Sequence, residues 1–222
     1  MKLYHLHAKG NHDELWHEGS EIVVDDRFQN GVFDNAADFS TFDLVEKYNK
    51  LIDIYNAWLL SNDYPDLKGN NRINIEQLLM FHNFTNKEEQ LKLRMAAYDI
   101  IRKANEFKRE MALENYRKDF ISERPSRFHS VFLTDEKNID YWAPRINGDE
   151  IEVFSVDAEE PFLTNEQLLP AETLNYGEAY ILANRYWNPM IKPSIADSNE
   201  YLANGIVRVR TKVGEIKRNK VR

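Results

Sequence analysis

Apolar and basic residues alternate near the end of the chain. Ile206 or Val207, Val209, Thr211 and Val213 take one side, and Arg208, Arg210 and Lys212 take the other. A period of two marks a strand with one buried face. A second alternation opens the chain at Lys2–Ala8, with Leu3, His5 and His7 on one face and Tyr4, Leu6 and Ala8 on the other. Helical stripes lie between. Leu44, Val45, Tyr48, Leu51, Ile52, Tyr55, Trp58 and Leu59 recur at spacings of three and four, as core packing requires. Thr85 with Glu88 forms a capping-box pattern that opens a helix to about Ser122, with Leu91, Met95, Tyr98 and Ile101 as its stripe and a break near Asn105. Strands at both ends can pair only non-locally, so the expected class is α+β.

The remaining chain reads in shorter pieces. Asn11–Glu18 is expected as a short helix with Leu15 and Trp16 inward, ended by Gly19, and Ser20–Val24 as a strand. Residues 25–39 form a long loop, a candidate lid, and Ile73–Phe84 a shorter helix. Pro125 stops the long helix, because it lacks an N–H and disfavours helix before it. His129–Thr134 reads as a strand, and Thr134 or Asp135 caps a short helix carrying Ile139, Tyr141 and Trp142. That loop, strand and helix can build a pocket wall; its aromatics serve equally as core. Glu150–Val156 is a further strand, Ala158–Pro170 a loop, Ala171–Trp187 a helix, and Asn188–Asn199 a loop.

The chain has 222 residues, which fits a single domain, 1–222, with a helical insertion at about 40–122. It holds no cysteine, which excludes thiol chemistry, disulfides and cysteine-bound zinc. A net charge of -8 argues against a general nucleic-acid binder. The basic residues from Arg208 to Arg222 leave two readings, a local phosphate-binding strip or a solvated edge strand and tail. No apolar run approaches the roughly 18–20 residues that span a bilayer. The first residues are too few and too polar for a signal peptide, so a cytoplasmic location is expected.

Gly10-Asn11-His12-Asp13 resembles the Gly-Asn-His-Asp/Glu signature of calcineurin-like metallophosphoesterases, with His5, His7 and His17 nearby. That family also needs an Asp-x-His and a Gly-Asp upstream and a late Gly-His-x-His. Only nine residues precede Gly10, and no histidine follows His129. A metal-dependent phosphoesterase is therefore an alternative, and no metal ligand is assigned.

A wider pattern joins His5-Leu6-His7, the run Ser130–Thr134 with Tyr141-Trp142, and Glu200 ahead of the last strand. This order resembles the ADP-ribosyltransferase superfamily of the His–Tyr–Glu type. It also looks like a bacterial family of uncharacterised proteins with a Tyr-His start, a helical Glu-x-x-Arg, a Pro-Ser-Arg, a Tyr-Trp and a late Glu-x-Leu. Here those are Tyr4-His5, Glu114 to Arg117, Pro125-Ser126-Arg127, Tyr186-Trp187 and Glu200-Tyr201-Leu202.

The resemblance implies an ADP-ribosyltransferase-like split β-sheet, NAD as cofactor and glycosyl transfer to a macromolecule, whether RNA, DNA or protein. Relatives of that type are often toxins or phage-defence effectors, and a toxin implies an antitoxin partner. Carried over, Glu200 is the catalytic carboxylate, preferred to Glu178, whose surroundings read as helix. His5 faces the dinucleotide, and His7 stands where the family has a small hydroxyl residue. Ser130 and Phe132 lie on the middle strand, and Tyr141 or Trp142 falls where an aromatic stacks on nicotinamide. Arg127, Arg117 or Arg145 would bind the pyrophosphate; each also suits an ion pair. His129 suits a satisfied strand end, and Glu114 with Arg117 an intrahelical pair. A non-enzymatic interaction module with only the fold in common is the second alternative.

Overall fold

The computed structural model describes residues 2–10, 12–30, 87–188 and 198–218. The chain divides into two compact units, residues 1–34 with 108–222, and residues 35–107. The helical stripe from Leu44 to Leu59, the helix expected at Ile73–Phe84, and most of the candidate lid lie outside the described residues.

The first unit holds two antiparallel sheets. Strand β1 (Leu3–Ala8) opens the chain and β2 (Glu21–Val24) follows. Helix α1 (Lys87–Phe120) begins in the other unit and ends in this one. Next come β3 (Val131–Leu133), the short helix α2 (Ile139–Trp142), β4 (Glu150–Ala158), β5 (Phe162–Asn165), α3 (Tyr176–Trp187), β6 (Asn199–Ala203) and β7 (Gly205–Lys217). One sheet runs β1-β4-β7-β2 and the other β3-β6-β5. The two meet where Tyr4 and Thr134 exchange backbone hydrogen bonds, each 2.8 Å. The mixed α and β class expected from the two terminal alternations is what forms.

Strand β6 fixes the layering, because both of its faces are buried. Tyr201 and Ala203 enter a core with Leu3, Trp16, Val131, Phe154, Val207 and Val209, drawn from both sheets. Leu202 points the other way, into a core with Leu113 of α1 and Ala183, Tyr186 and Trp187 of α3. Side chains alternate along a strand, so Glu200 shares the face of Leu202 and is carried toward the helices. A third core, on the other side of the first sheet, holds Tyr4, Leu6, Ala143, Ile151 and Val153. Each fully buried aliphatic side chain contributes roughly 1.5–3 kcal/mol.

Local expectations differ from the structure in several places. Residues 12–18 form turns rather than a helix, although Trp16 is buried as expected. His12, Asp13 and His17, between Gly10 and Gly19, leave too few helix formers for a stable turn of helix. The stretch 158–170 is not a loop throughout, since it holds β5 and a 3-10 turn at Glu166–Leu168. Helix α3 begins at Tyr176, where Asn175 and Glu178 form a capping box. Helix α1 runs through Asn105 without a break, and its residues Met95, Tyr98 and Ile101 are exposed rather than buried.

The last strand is interior along its first part, between β4 and β2. Three of its basic residues are matched by acids on neighbouring strands or on β7 itself. Arg208 reaches Glu21 at 2.7 Å, Arg210 pairs with Asp157, and Lys212 reaches Glu152 at 2.6 Å and Glu215 at 2.9 Å. Along this part the expected edge strand is a central one, and Arg208, Arg210 and Lys212 stand in surface ion pairs; residues 219–222 of the basic tail lie outside the described residues.

The chain crosses from the second sheet to the first at Asn204-Gly205, where Gly205 has φ +79°. A Cβ there would meet open space, so the only obstacle to a side chain is backbone conformation. Gly205→Ala is expected to cost about 1–2 kcal/mol, and Gly205→Asn less, as read from urea unfolding midpoints.

Candidate functional site

One face of α1 carries Glu110, Leu113, Glu114 and Arg117, a core-facing stripe in which three of four members are charged. Glu110 and Glu114 are 5% and 4% exposed, so each must be paired. Glu114 takes two bonds from Arg117, at 2.8 and 3.0 Å, and a third from the Ser126 hydroxyl at 3.0 Å. Arg117 also donates to the carbonyls of Ser122 and Arg124. It therefore ties down the turn after α1 and delivers residues 125–130 to the protein interior.

Arg127 enters that interior. Its Nε donates to Glu110 Oε2 at 2.7 Å, and its Nη1 to Glu200 Oε1 at 2.8 Å and to the Tyr186 hydroxyl. Tyr186 in turn donates to Glu200 Oε1 at 2.6 Å. The guanidinium lies over the rings of Phe132 and Tyr186, at 5.1 and 4.8 Å from their centroids. Glu110 Oε1 accepts from Arg109, which also donates to Glu172 at 2.8 Å. Charges of alternating sign thus run from half-exposed Glu172 through Arg109, Glu110 and Arg127 to Glu200. Among the described residues, Glu200 Oε2 has no hydrogen-bond partner.

The two carboxylates differ in acidity. Burial pushes Glu200 up from the ordinary value, and Arg127 and Tyr186 offset that only in part. Burial also opposes ionisation of Glu110, but there Arg127 and Arg109 together outweigh it and hold the carboxyl below its ordinary range. The Tyr186 phenol is pushed well up, chiefly by burial.

A second cluster surrounds His5. Its Nδ1 donates to the Phe132 carbonyl at 3.0 Å, and its ring stacks on Trp16 with centroids 3.6 Å apart. Burial lowers its pKa to about 3, so the ring is neutral and Nε2 is an acceptor. His7 bonds through Nε2 to Asp13 at 2.7 Å, and Asp13 also accepts from the Gly10 amide. Gly10 and His7 are thus both bonded to Asp13, and Asn11 of that motif lies outside the described residues. Among the described residues, no three His, Asp or Glu side chains converge in a group that could hold a metal ion.

The expected site residues fall into separate groups. Glu200, Arg127 and Phe132 are brought together, and His5 touches the backbone of Phe132. His5 nevertheless faces the core between the sheets, whereas Glu200 faces the helices. Ser130 is fully buried, with its hydroxyl donated to Ser126 O at 2.6 Å. Trp142 is fixed by a bond from Nε1 to Asn199 O at 2.9 Å. Tyr141 lies under Arg145, 3.6 Å from the ring centroid, and donates to Glu166. Glu178 serves the α3 cap and is exposed. Arg117 forms the expected pair with Glu114, and His129 donates to Phe28 O at 2.7 Å. A cleft of about 140 Å³ opens beside them, lined by Asp25, Arg117, Arg124, Ser126, His129 and Asn204.

Sequence reasoning missed Glu110 and Arg109, and quoted Tyr186 without giving it a role in the site. A carboxylate at a stripe position, one turn before Leu113 and Glu114, was the available signal.

Removing one partner of a buried ion pair strands the others, so Arg127→Met should cost about 3–5 kcal/mol at neutral pH. Glu110 sits below its ordinary 4.5, so its contribution is full above that value and is lost as pH falls through the depressed folded value. Glu200 is raised, so its contribution is full below 4.5 and is lost as pH rises through the folded value. In the variant Glu200 loses its cation and Glu110 keeps only Arg109, so both take up protons more readily. Urea unfolding should therefore show the gap between wild type and variant narrowing as the pH is lowered through the carboxylate range.

No curated protein matches the chain. A family model matches residues 3–216, nearly the whole chain including every residue of the charged cluster, and the chain belongs to that family, described as "Protein of unknown function (DUF2441)".

Proposed function

We propose that this chain is a NAD-dependent ADP-ribosyltransferase that modifies a macromolecule, with an ADP-ribosyltransferase-like split sheet and Glu200 as its catalytic carboxylate. The observation that supports this reading best is the adjacency of the three strands that carry the resemblance. His5 of β1 donates to the Phe132 carbonyl of β3, and Phe132 pairs with Leu202 of β6, two residues beyond Glu200.

The chemistry uses what Glu200 has left. The bond from nicotinamide nitrogen to ribose C1′ breaks with its electron pair going to nicotinamide, and the sugar passes through an oxocarbenium-like state. Glu200 Oε2 accepts a hydrogen bond from a ribose hydroxyl and stabilises the developing positive charge. An oxygen or nitrogen of the acceptor then bonds to C1′ and loses its proton. The acceptor is RNA, DNA or protein; a toxin or phage-defence role fits such an activity, with an antitoxin as partner in the former.

A second reading, a non-enzymatic interaction module, is favoured by a specific observation. His5 and Glu200 face opposite sides of the β3-β6-β5 sheet, and Glu200 is 5% exposed within an ion-pair chain.

Labelled NAD incubated separately with RNA, DNA and protein tests both. Transfer to one pool is expected, with a loss of about a hundredfold or more in Glu200→Gln. NAD left intact in every pool would favour the interaction module.

A further inference from the structure

The charged chain has an excess of one negative charge, three carboxylates against two guanidiniums: Glu172, Glu110 and Glu200 with Arg109 and Arg127. Its order decides what Arg127 does. Were Arg109 absent, Glu110 and Glu200 would compete for one buried guanidinium, and Arg127 would be drawn to whichever carboxylate was more strongly ionised. Arg109 gives Glu110 a cation of its own, through contacts at 3.1 and 3.2 Å to Oε1. The Arg127 fork is then free to hold Glu200 while resting on Glu110 Oε2. Both contacts on Glu200, from Arg127 and Tyr186, fall on the same oxygen, Oε1. A carboxylate held by one oxygen has a fixed plane and presents the other in a fixed direction.

We infer that Glu110 and Arg127 are positioning residues for Glu200, Glu110 anchoring the Arg127 guanidinium so that it grips Oε1 and leaves Oε2 to the substrate. This rests on the ADP-ribosyltransferase reading and changes one expectation drawn from it. Arg127 does not bind the dinucleotide pyrophosphate, because its Nε and Nη1 are committed inside the protein and the side chain is 7% exposed. Glu110 lies 90 residues before Glu200 in the sequence and touches it only through Arg127.

Steady-state NAD turnover of wild type, Arg127→Lys, Glu110→Gln and Ile151→Ala tests the inference. Ile151→Ala opens a cavity in the third core, on the far side of the first sheet, without touching Glu200 or the residues that hold it, so it reports the cost of lost stability alone. Arg127→Lys and Glu110→Gln are expected to lower kcat about a hundredfold while KM for NAD stays within about threefold, since a misplaced carboxylate slows chemistry without weakening binding. Ile151→Ala is expected to unfold at lower urea and to keep its kcat.

A raised KM with kcat unchanged in Arg127→Lys would make that arginine a dinucleotide ligand and overturn the inference. An equal fall of kcat in all three variants would overturn it too, leaving architecture alone. An inactive wild type would instead remove the transferase reading. Coupling of the chain is then read from carboxyl carbon-13 NMR, with the Glu200 signal assigned from Glu200→Gln. Arg127→Met should raise the Glu200 titration midpoint, because the cation that grips Oε1 is gone. An unmoved midpoint would overturn the inference independently of any activity.

Discussion

A single guanidinium, that of Arg127, holds together four parts of the fold that are far apart in sequence. It joins α1 through Glu110, the turn after α1 through its own backbone, α3 through Tyr186 and β6 through Glu200. Taking such charges out of water is costly, and an apolar cluster of the same volume would often be at least as stable. The gain lies elsewhere. Apolar side chains can slide past one another, whereas a planar fork bonded at defined atoms fixes the spacing and rotation of its partners. The helix, the turn and the strand are therefore set relative to one another at the one place where a reactive carboxylate would need it.

That arrangement depends on β6 being covered on both sides. Leu202 and Glu200 can face α1 and α3 only because Tyr201 and Ala203 are taken up by the core between the sheets. The same strand then turns through Gly205 into β7, the longest strand of the first sheet. Sheet-to-sheet packing and the orientation of Glu200 are thus one constraint. A slip of one residue in the β3–β6 register would send the carboxylate into the core with Leu3, Trp16 and Phe154, where no cation could meet it.

Local signals in the sequence carry the elements whose chemistry is local. The alternations of β1 and β7, the stop at Pro125, the Asp135 cap and the helical run of α1 all follow from neighbours a few residues apart. Elements defined by distant partners do not. Strand β6 is five residues long and buried on both faces, so it has no alternation to read, and β5 is shorter still and flanked by acids. For the candidate site, Glu200 and Arg127 could be named from a resemblance, yet not their contact. An acid at position 110 of a charged helix reads as a solvated residue until Arg109 and Arg127 are brought to it. The exposed Met95, Tyr98 and Ile101 make the converse point, since an apolar stripe fixes which side of a helix is oily and not what covers it.

The histidines at the start of the chain illustrate how strongly a strand pair constrains chemistry. His5 is a tie between two sheets, because its Nδ1–H reaches the carbonyl of Phe132 while its own backbone is paired with Phe154 of β4. That bond fixes the tautomer, and stacking on Trp16 with burial keeps the ring neutral. A ring so held can accept through Nε2 but does not take up a proton near neutrality, so any part it plays toward a ligand is that of a fixed acceptor. His7, two residues on along the same face, is already bonded through Nε2 to Asp13. Asp13 is thus spent on His7 of β1 and on the Gly10 amide. The two rings that looked alike in sequence are assigned to different neighbours by the geometry of one short strand.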